Sequence, residues 1–232
     1  MKKNIQLLVG LIVTAIIFYF SNVLGSRINI QNDFIPGSFV THTLMLLLSL
    51  ITIGVLWKEV QYRIARPKLS RIFKPVLFGF LGFFLVNSLF GIITMIASGE
   101  VAESHPALQK MDALQVFVFV FIYASIAEEL LFRGLLMNLL KPFQNKGIKL
   151  FKRKISLPVI IAAVLFGLGH LVLIQSGART LFLVRVVTAT TVLGLVAGYY
   201  QEKYNNNAYA IIAHMGGNLL ALIPAIIASF LA

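Results

Sequence analysis

Seven separate apolar stretches dominate this chain, at 5–24, 38–57, 75–98, 112–140, 155–175, 180–200 and 208–231. Each approaches or exceeds the roughly 20 helical residues needed to cross about 30 Å of hydrocarbon. They are continuously apolar, without the in-out alternation of barrel strands, so each is expected to form a helix. The fourth is over-long for a perpendicular span and is expected to tilt or to extend past the bilayer. Pro224 lies inside the last and leaves open a break into two pieces. The expectation is an all-α, polytopic transmembrane bundle of seven to eight helices. Helices one to three occupy 1–111 and a core of helices four to seven occupies 112–232, within a single integral membrane domain.

Composition excludes the main alternatives. Of 232 residues 59% are hydrophobic and only 12% charged, half the charge of an ordinary soluble domain. Cysteine is absent, which removes disulfides, thiolate metal sites and a cysteine nucleophile. The net charge of +12 invites a nucleic-acid reading, but Lys and Arg cluster at 58–74 and 141–154, between apolar runs. That is the layout of membrane loops and not of a basic binding face, so no nucleic-acid partner is expected. With the N-terminus inside, fifteen Lys and Arg fall on the inner side and three, Arg27, Lys110 and Arg179, on the outer. The imbalance predicts a cytoplasmic N-terminus in a multi-pass protein of a cell membrane, bacterial by its small size. Lys2 and Lys3 before an apolar run resemble a signal peptide, but the run is longer than a signal core, and a retained helix is expected. Gly194 and Gly198 form a small-xxx-small pair, a close-packing site for the sixth helix. The 141–154 cluster is read as a topology signal, with an anionic-lipid contact as the alternative.

Polar residues inside the spans carry the functional information, because a charge at mid-membrane costs at least about 2.5–3.5 kcal/mol on insertion scales. The fourth span contains Glu128, Glu129 and Arg133, the fifth His170, and the seventh His214 and Asn218. Glu129 and Arg133 are four apart and share a helix face, as an ion pair requires. Glu128 points about 140° away from Arg133 on a regular wheel, which leaves it for another task. Arg185 in the sixth span competes as a partner for either glutamate. A buried carboxylate without a full cationic partner suits general-base work. His214 and Asn218 are also four apart, with Gly216 and Gly217 between them opening room for another backbone or a substrate. Gly167 and Gly169 similarly open space beside His170. One carboxylate, two imidazoles and an amide can thus converge from three helices into a polar intramembrane cavity.

Glu128-Glu129-Leu-Leu-Phe-Arg133, Phe166-Gly-Leu-Gly-His170 and His214-Met-Gly-Gly-Asn218 resemble, in order, the EExxxR, FxxxH and HxxxN motifs of the CPBP family. These are the CAAX-protease and bacteriocin-processing intramembrane proteases, also called the Abi family. The resemblance covers about 116–222; the first three helices match only as generic apolar spans. It implies peptide-bond hydrolysis within the membrane, with Glu128 as general base, His170 helping it hold the water, and His214 and Asn218 stabilising the oxyanion. Glu129 and Arg133 fix the helix and orient Glu128. No cofactor is required by this chemistry. The alternative is Zn2+ held by Glu128, His170 and His214, which form a hydrolytic ligand set although the usual HExxH helix is missing. The implied substrate is a small hydrophobic or membrane-bound peptide, as in bacteriocin or signal-peptide processing. A non-catalytic scaffold or immunity protein binding a peptide or partner is the second reading. A proton-coupled transporter is the third, disfavoured by the absence of repeated halves or paired interrupted helices.

Overall fold

The structure is a computed structural model describing residues 1–232 except 102, 104, 106, 107, 151 and 232. Among the described residues seven helices are long and apolar enough to cross a membrane. They are α1 (Lys3–Gly25), α2 (Ser38–Val55), α3 (Phe73–Ser98), α4 (Ala113–Met137), α5 (Leu157–Gly169), α6 (Thr180–Tyr204) and α7 (Ala208–Leu231). α5 runs on as a tighter 3-10 segment over His170–Ser176. α7 passes through Pro224 as one continuous helix, so the last apolar stretch is a single span. The bundle is therefore a polytopic, nearly all-helical membrane fold. A short hairpin between α4 and α5, β1 (Gly147–Leu150) and β2 (Arg153–Ser156), is the one sheet among the described residues. It takes the first two residues of the expected fifth span, because that stretch opens next to the Lys and Arg run and not in the apolar run proper.

α1 turns small and polar residues inward and large apolar ones outward. α1 buries Gln6, Gly10, Thr14, Ile17, Ser21 and Gly25, a stripe at three- and four-residue spacing that is mostly small or polar. Leu8, Ile12 and Ile16 on its other side are half exposed or more and face the hydrocarbon. With lipid as apolar as the side chains, close approach and buried polar contacts hold such helices together, not apolar burial. α3 and α7 illustrate the close approach. A Cβ at Gly79 would run into the backbone of Ala213, and one at Gly216 into the backbone of Val76. Gly91, on the same α3, faces open space. We expect Gly79→Ala to cost about 1–3 kcal/mol through overpacking, with Gly91→Ala neutral or slightly stabilising. Denaturant titration of both variants in detergent checks this, and equal stability of the two would disprove the close-packing account.

Each end of the bundle is closed by polar contacts that are distant in sequence. At one end the N-terminal amine lies 3.7 Å from Glu59, and Gln6 donates to the Glu59 carbonyl. The 61–68 segment runs beneath the turn between α6 and α7: Asn206 exchanges hydrogen bonds with Ala65, and the Asn207 amide donates to the Arg63 carbonyl. Tyr62 donates to the Asn207 side-chain oxygen at 3.1 Å, and burial pushes its phenol pKa up to about 12, so it stays a donor. At the other end Gln115 donates to the carbonyls of Asp33 and Phe34, and Arg179 pairs with Glu100. Asp112 and Gln115 cap the start of α4 reciprocally, which fixes where that helix begins.

Candidate active site

α4 is the axis of the site and is not a uniform α-helix. Wide π-helical stretches over Val116–Ala124 and Leu130–Met137 flank a single α-helical turn, Ser125–Glu129, that carries both glutamates. Such widened turns occur often at functional positions because they re-aim side chains out of regular register.

Glu129 and Arg133 pair as their spacing predicts, with Nη1 donating to Oε1 at 2.9 Å and both side chains fully buried. The same Oε1 accepts from His214 Nδ1 at 2.9 Å. Because this carboxylate only accepts, His214 carries its proton on Nδ1 there and turns Nε2 toward the cavity. The guanidinium lies over the Phe166 ring, 4.6 Å from its centroid, a cation–π contact that is strong when desolvated. Phe166 also packs edge-on against the rings of His170 and His214. The phenylalanine of the second motif is thus the surface against which three polar side chains are set. Backbone carbonyls of the same turn are tied from α6 and the following turn: Gln201 donates to Arg133 and Asn207 to Glu129.

Glu128 points the other way, into a cavity of about 530 Å³ that reaches toward the 99–112 loop. Its Oε1 lies 3.3 Å from His42 Nε2 and its Oε2 3.7 Å from His214 Nε2. The second separation exceeds a direct hydrogen bond and suits a bridging water. His170 Nδ1 lies 3.0 Å from the Phe166 carbonyl, so it donates there and presents the Nε2 lone pair. Asn218 Nδ2 donates to the Val120 carbonyl and to Ser125 Oγ, both at 3.0 Å, tying α7 to α4.

Four of the six residues singled out from sequence, Glu128, His170, His214 and Asn218, line the cavity, and Glu129 and Arg133 are fully buried behind His214. Three readings change. Arg185 does not pair with either glutamate; its guanidinium donates to the Glu103 carbonyl near the cavity mouth, because it sits early in α6. The glycines beside the histidines accommodate neighbouring helices and side chains. Gly216 meets the Val76 backbone, Gly217 meets Leu193, Gly167 meets Thr191 and Gly169 meets the Phe18 ring. Gly194 leaves room for the Arg133 guanidinium as well as for Ala163. Finally, the cavity is lined by all four histidines of the chain, so His42 and His105 join the two expected. His42 stood inside an apolar run and carried the same signal as the others, but no motif.

His105 lies in the 99–112 loop, outside the spans. Burial pushes its pKa down to about 4; His170 adds to the effect, Glu128 opposes it, and Arg185 adds again. A histidine whose folded pKa lies below its ordinary 6.5 stays neutral in the fold while the unfolded chain takes up a proton. Its contribution is therefore present above pH 6.5 and is lost as pH falls toward 4. We expect the melting temperature of wild type in detergent to fall more steeply than that of His105→Gln across this window. Parallel curves would contradict the assignment.

Among the described residues no three His, Asp or Glu side chains are grouped as a ligand set. His214 Nδ1 is bonded to Glu129 and His170 Nδ1 to Phe166, so Nε2 is the ring atom that each would offer to a metal, and no step below is routed through one.

The fold and site together define a polytopic helical membrane protein with a polar, histidine-rich cavity sunk into an apolar bundle. Residues 110–220 match the family model described as type II CAAX prenyl endopeptidase Rce1-like. The match spans all three motifs and bears out the resemblance to the CPBP proteases. No curated protein and no solved structure gave a match.

Proposed function

We propose that this protein is an intramembrane endopeptidase that hydrolyses a small hydrophobic or membrane-associated peptide by carboxylate-activated water. The observation that carries the reading is the Glu128 carboxylate held between imidazoles of two helices in a cavity lined by all four histidines. The family match, which is to endopeptidases, supports the reaction class.

In this mechanism a water occupies the gap between Glu128 Oε2 and His214, with the lone pair of His170 Nε2 as a second acceptor. Glu128 takes one proton from the water as its oxygen bonds to the scissile carbonyl carbon. The carbonyl oxygen becomes an oxyanion. His214 stabilises it through Nε2 when the ring carries both protons, and Asn218 supplies a second donor by swinging one N–H away from Val120. Such contacts often form only once substrate is bound. Glu128 then passes its proton to the departing amide nitrogen as the C–N bond breaks. A carboxylic acid and an amine result, and Glu128 is again ionised. Glu129 and Arg133 hold His214 and the α4 turn and take no part in the transfers.

The test is incubation of the purified, detergent-solubilised protein with a panel of hydrophobic membrane peptides, read by mass spectrometry. New termini with wild type support the proposal. A tight peptide complex without turnover would favour the scaffold reading. Substrate uptake driven by a pH gradient, with no cleavage, would favour the transporter.

A further inference from the structure

One polar contact of the site comes from outside the family-matched segment. His42 lies in the second turn of α2, 86 positions before Glu128, and its Nε2 is 3.3 Å from Glu128 Oε1. Its neighbours fix that position. Phe39, one turn earlier, stacks on Tyr123 of α4 with ring centroids 5.4 Å apart. The hydroxyl of Thr43 meets the Tyr123 hydroxyl at 2.7 Å, and Met45 is buried just beyond. Two contacts to a single α4 tyrosine therefore set the register of α2, and His42 between them is aimed at the carboxylate. Where α1 meets this part of α2, a Cβ at Gly25 would strike Thr41, so that helix pair is closely packed as well.

The geometry also says what such a contact does. A glutamate carboxyl rotates easily about its last torsion, so either oxygen can face a given direction. Among the described residues no Lys or Arg forms an ion pair with Glu128, and Arg133 is bonded to Glu129. Its ion-pair contacts are to imidazoles, one for each oxygen of the Glu128 carboxylate: Oε1 is close to His42, and Oε2 stands off from His214.

We propose that His42 is a positioning residue for the hydrolysis: its Nε2–H holds Oε1 of Glu128, so that Oε2 alone is presented to the water beside His214. The inference rests on the protease reading and makes α2 part of the active site. The 110–220 segment alone then lacks one of the groups that orient its base.

The test compares His42→Leu, which removes the donor, with His42→Gln, whose amide nitrogen reaches about as far as Nε2. Full-length protein is used, with wild type and Glu128→Gln in the same peptide-cleavage assay. We expect His42→Leu to lower kcat by about tenfold to a hundredfold, as small misplacements of a catalytic group do, with KM little changed. His42→Gln should recover most of that loss. Equal impairment of both variants, an effect confined to KM, or a wild-type kcat in His42→Leu would each overturn the proposal. Absence of cleavage by wild type, or full activity of Glu128→Gln, would instead overturn the protease reading. The contact is then judged separately by nitrogen NMR of histidine-labelled protein. The resonance lost in His42→Gln identifies His42, and it should shift in Glu128→Gln. A His42 signal indifferent to Glu128 would overturn the inference whatever the assay shows.

Discussion

Glu128→Gln is expected to lower kcat by about 10²–10⁴-fold, the range that a positioned general base contributes, while the protein keeps its fold. Glutamine has the shape of glutamate, and its amide oxygen can still accept from His42 Nε2, which lies 3.3 Å from the carboxylate in wild type. What it cannot do is take a proton from water. Stability should change little, because among the described residues no Lys or Arg is bonded to Glu128: the buried guanidinium of Arg133 bonds to Glu129. The informative contrast is Glu129→Gln, which keeps an acceptor for His214 Nδ1 but loses the charge facing Arg133. We expect Glu128→Gln to lose turnover with a wild-type melting temperature, and Glu129→Gln to lose stability first. Measuring kcat and thermal unfolding on the same samples checks both. If turnover survives in Glu128→Gln, the base lies elsewhere, and the roles of the adjacent glutamates must be exchanged or abandoned.

That division between two neighbouring glutamates was legible in the sequence because it depends only on helical spacing. Residues four apart share a helix face, so Glu129 was the favoured partner of Arg133, with Arg185 as the competitor. The spans were legible for a similar reason, since about 20 apolar residues in water-free surroundings have few alternatives to a helix. Contacts between distant helices were not. His42 finds Glu128 across 86 positions, and nothing within α2 marks which helix it will face. Arg185 shows the converse: its charge suggested a glutamate partner, but its place early in α6 sets it near the Glu103 carbonyl. The β1–β2 hairpin was invisible because four-residue strands among lysines carry no apolar period. Depth was half visible. By rise per residue alone, His214 lies closer to the Asn205–Asn207 turn than Glu128 or His170 lie to the loops at their own helix ends. In the structure Asn207 of that turn is buried and its side chain donates to the Glu129 carbonyl. The side chains that do this, Gln201, Asn207 and Tyr62, belong to none of the three motifs.

Arg133→Met is expected to destabilise the protein by about 3–5 kcal/mol, the cost of breaking a buried ion pair from one side. The substitution nearly conserves volume and keeps contact with Phe166, so packing loss is minor. The damage is electrostatic. It leaves the fully buried Glu129 carboxylate with His214 alone, at a position where water cannot solvate it. Adding Glu129→Gln should therefore recover most of the loss. The double variant removes both charges, retains an oxygen to accept from His214 Nδ1, and leaves no ionised group without its counterpart. This recovery distinguishes a charge-pair role from a steric one, since a packing defect at Arg133 would not be repaired by changing Glu129. Denaturant titration of the two single variants and the double closes the cycle. A double variant as unstable as the worse single one would show that the guanidinium acts as a wedge between Phe132 and Phe166, with the ion pair incidental. Recovery of stability without recovery of turnover would show that the pair's charge, and not only its shape, is needed to keep His214 ready to donate.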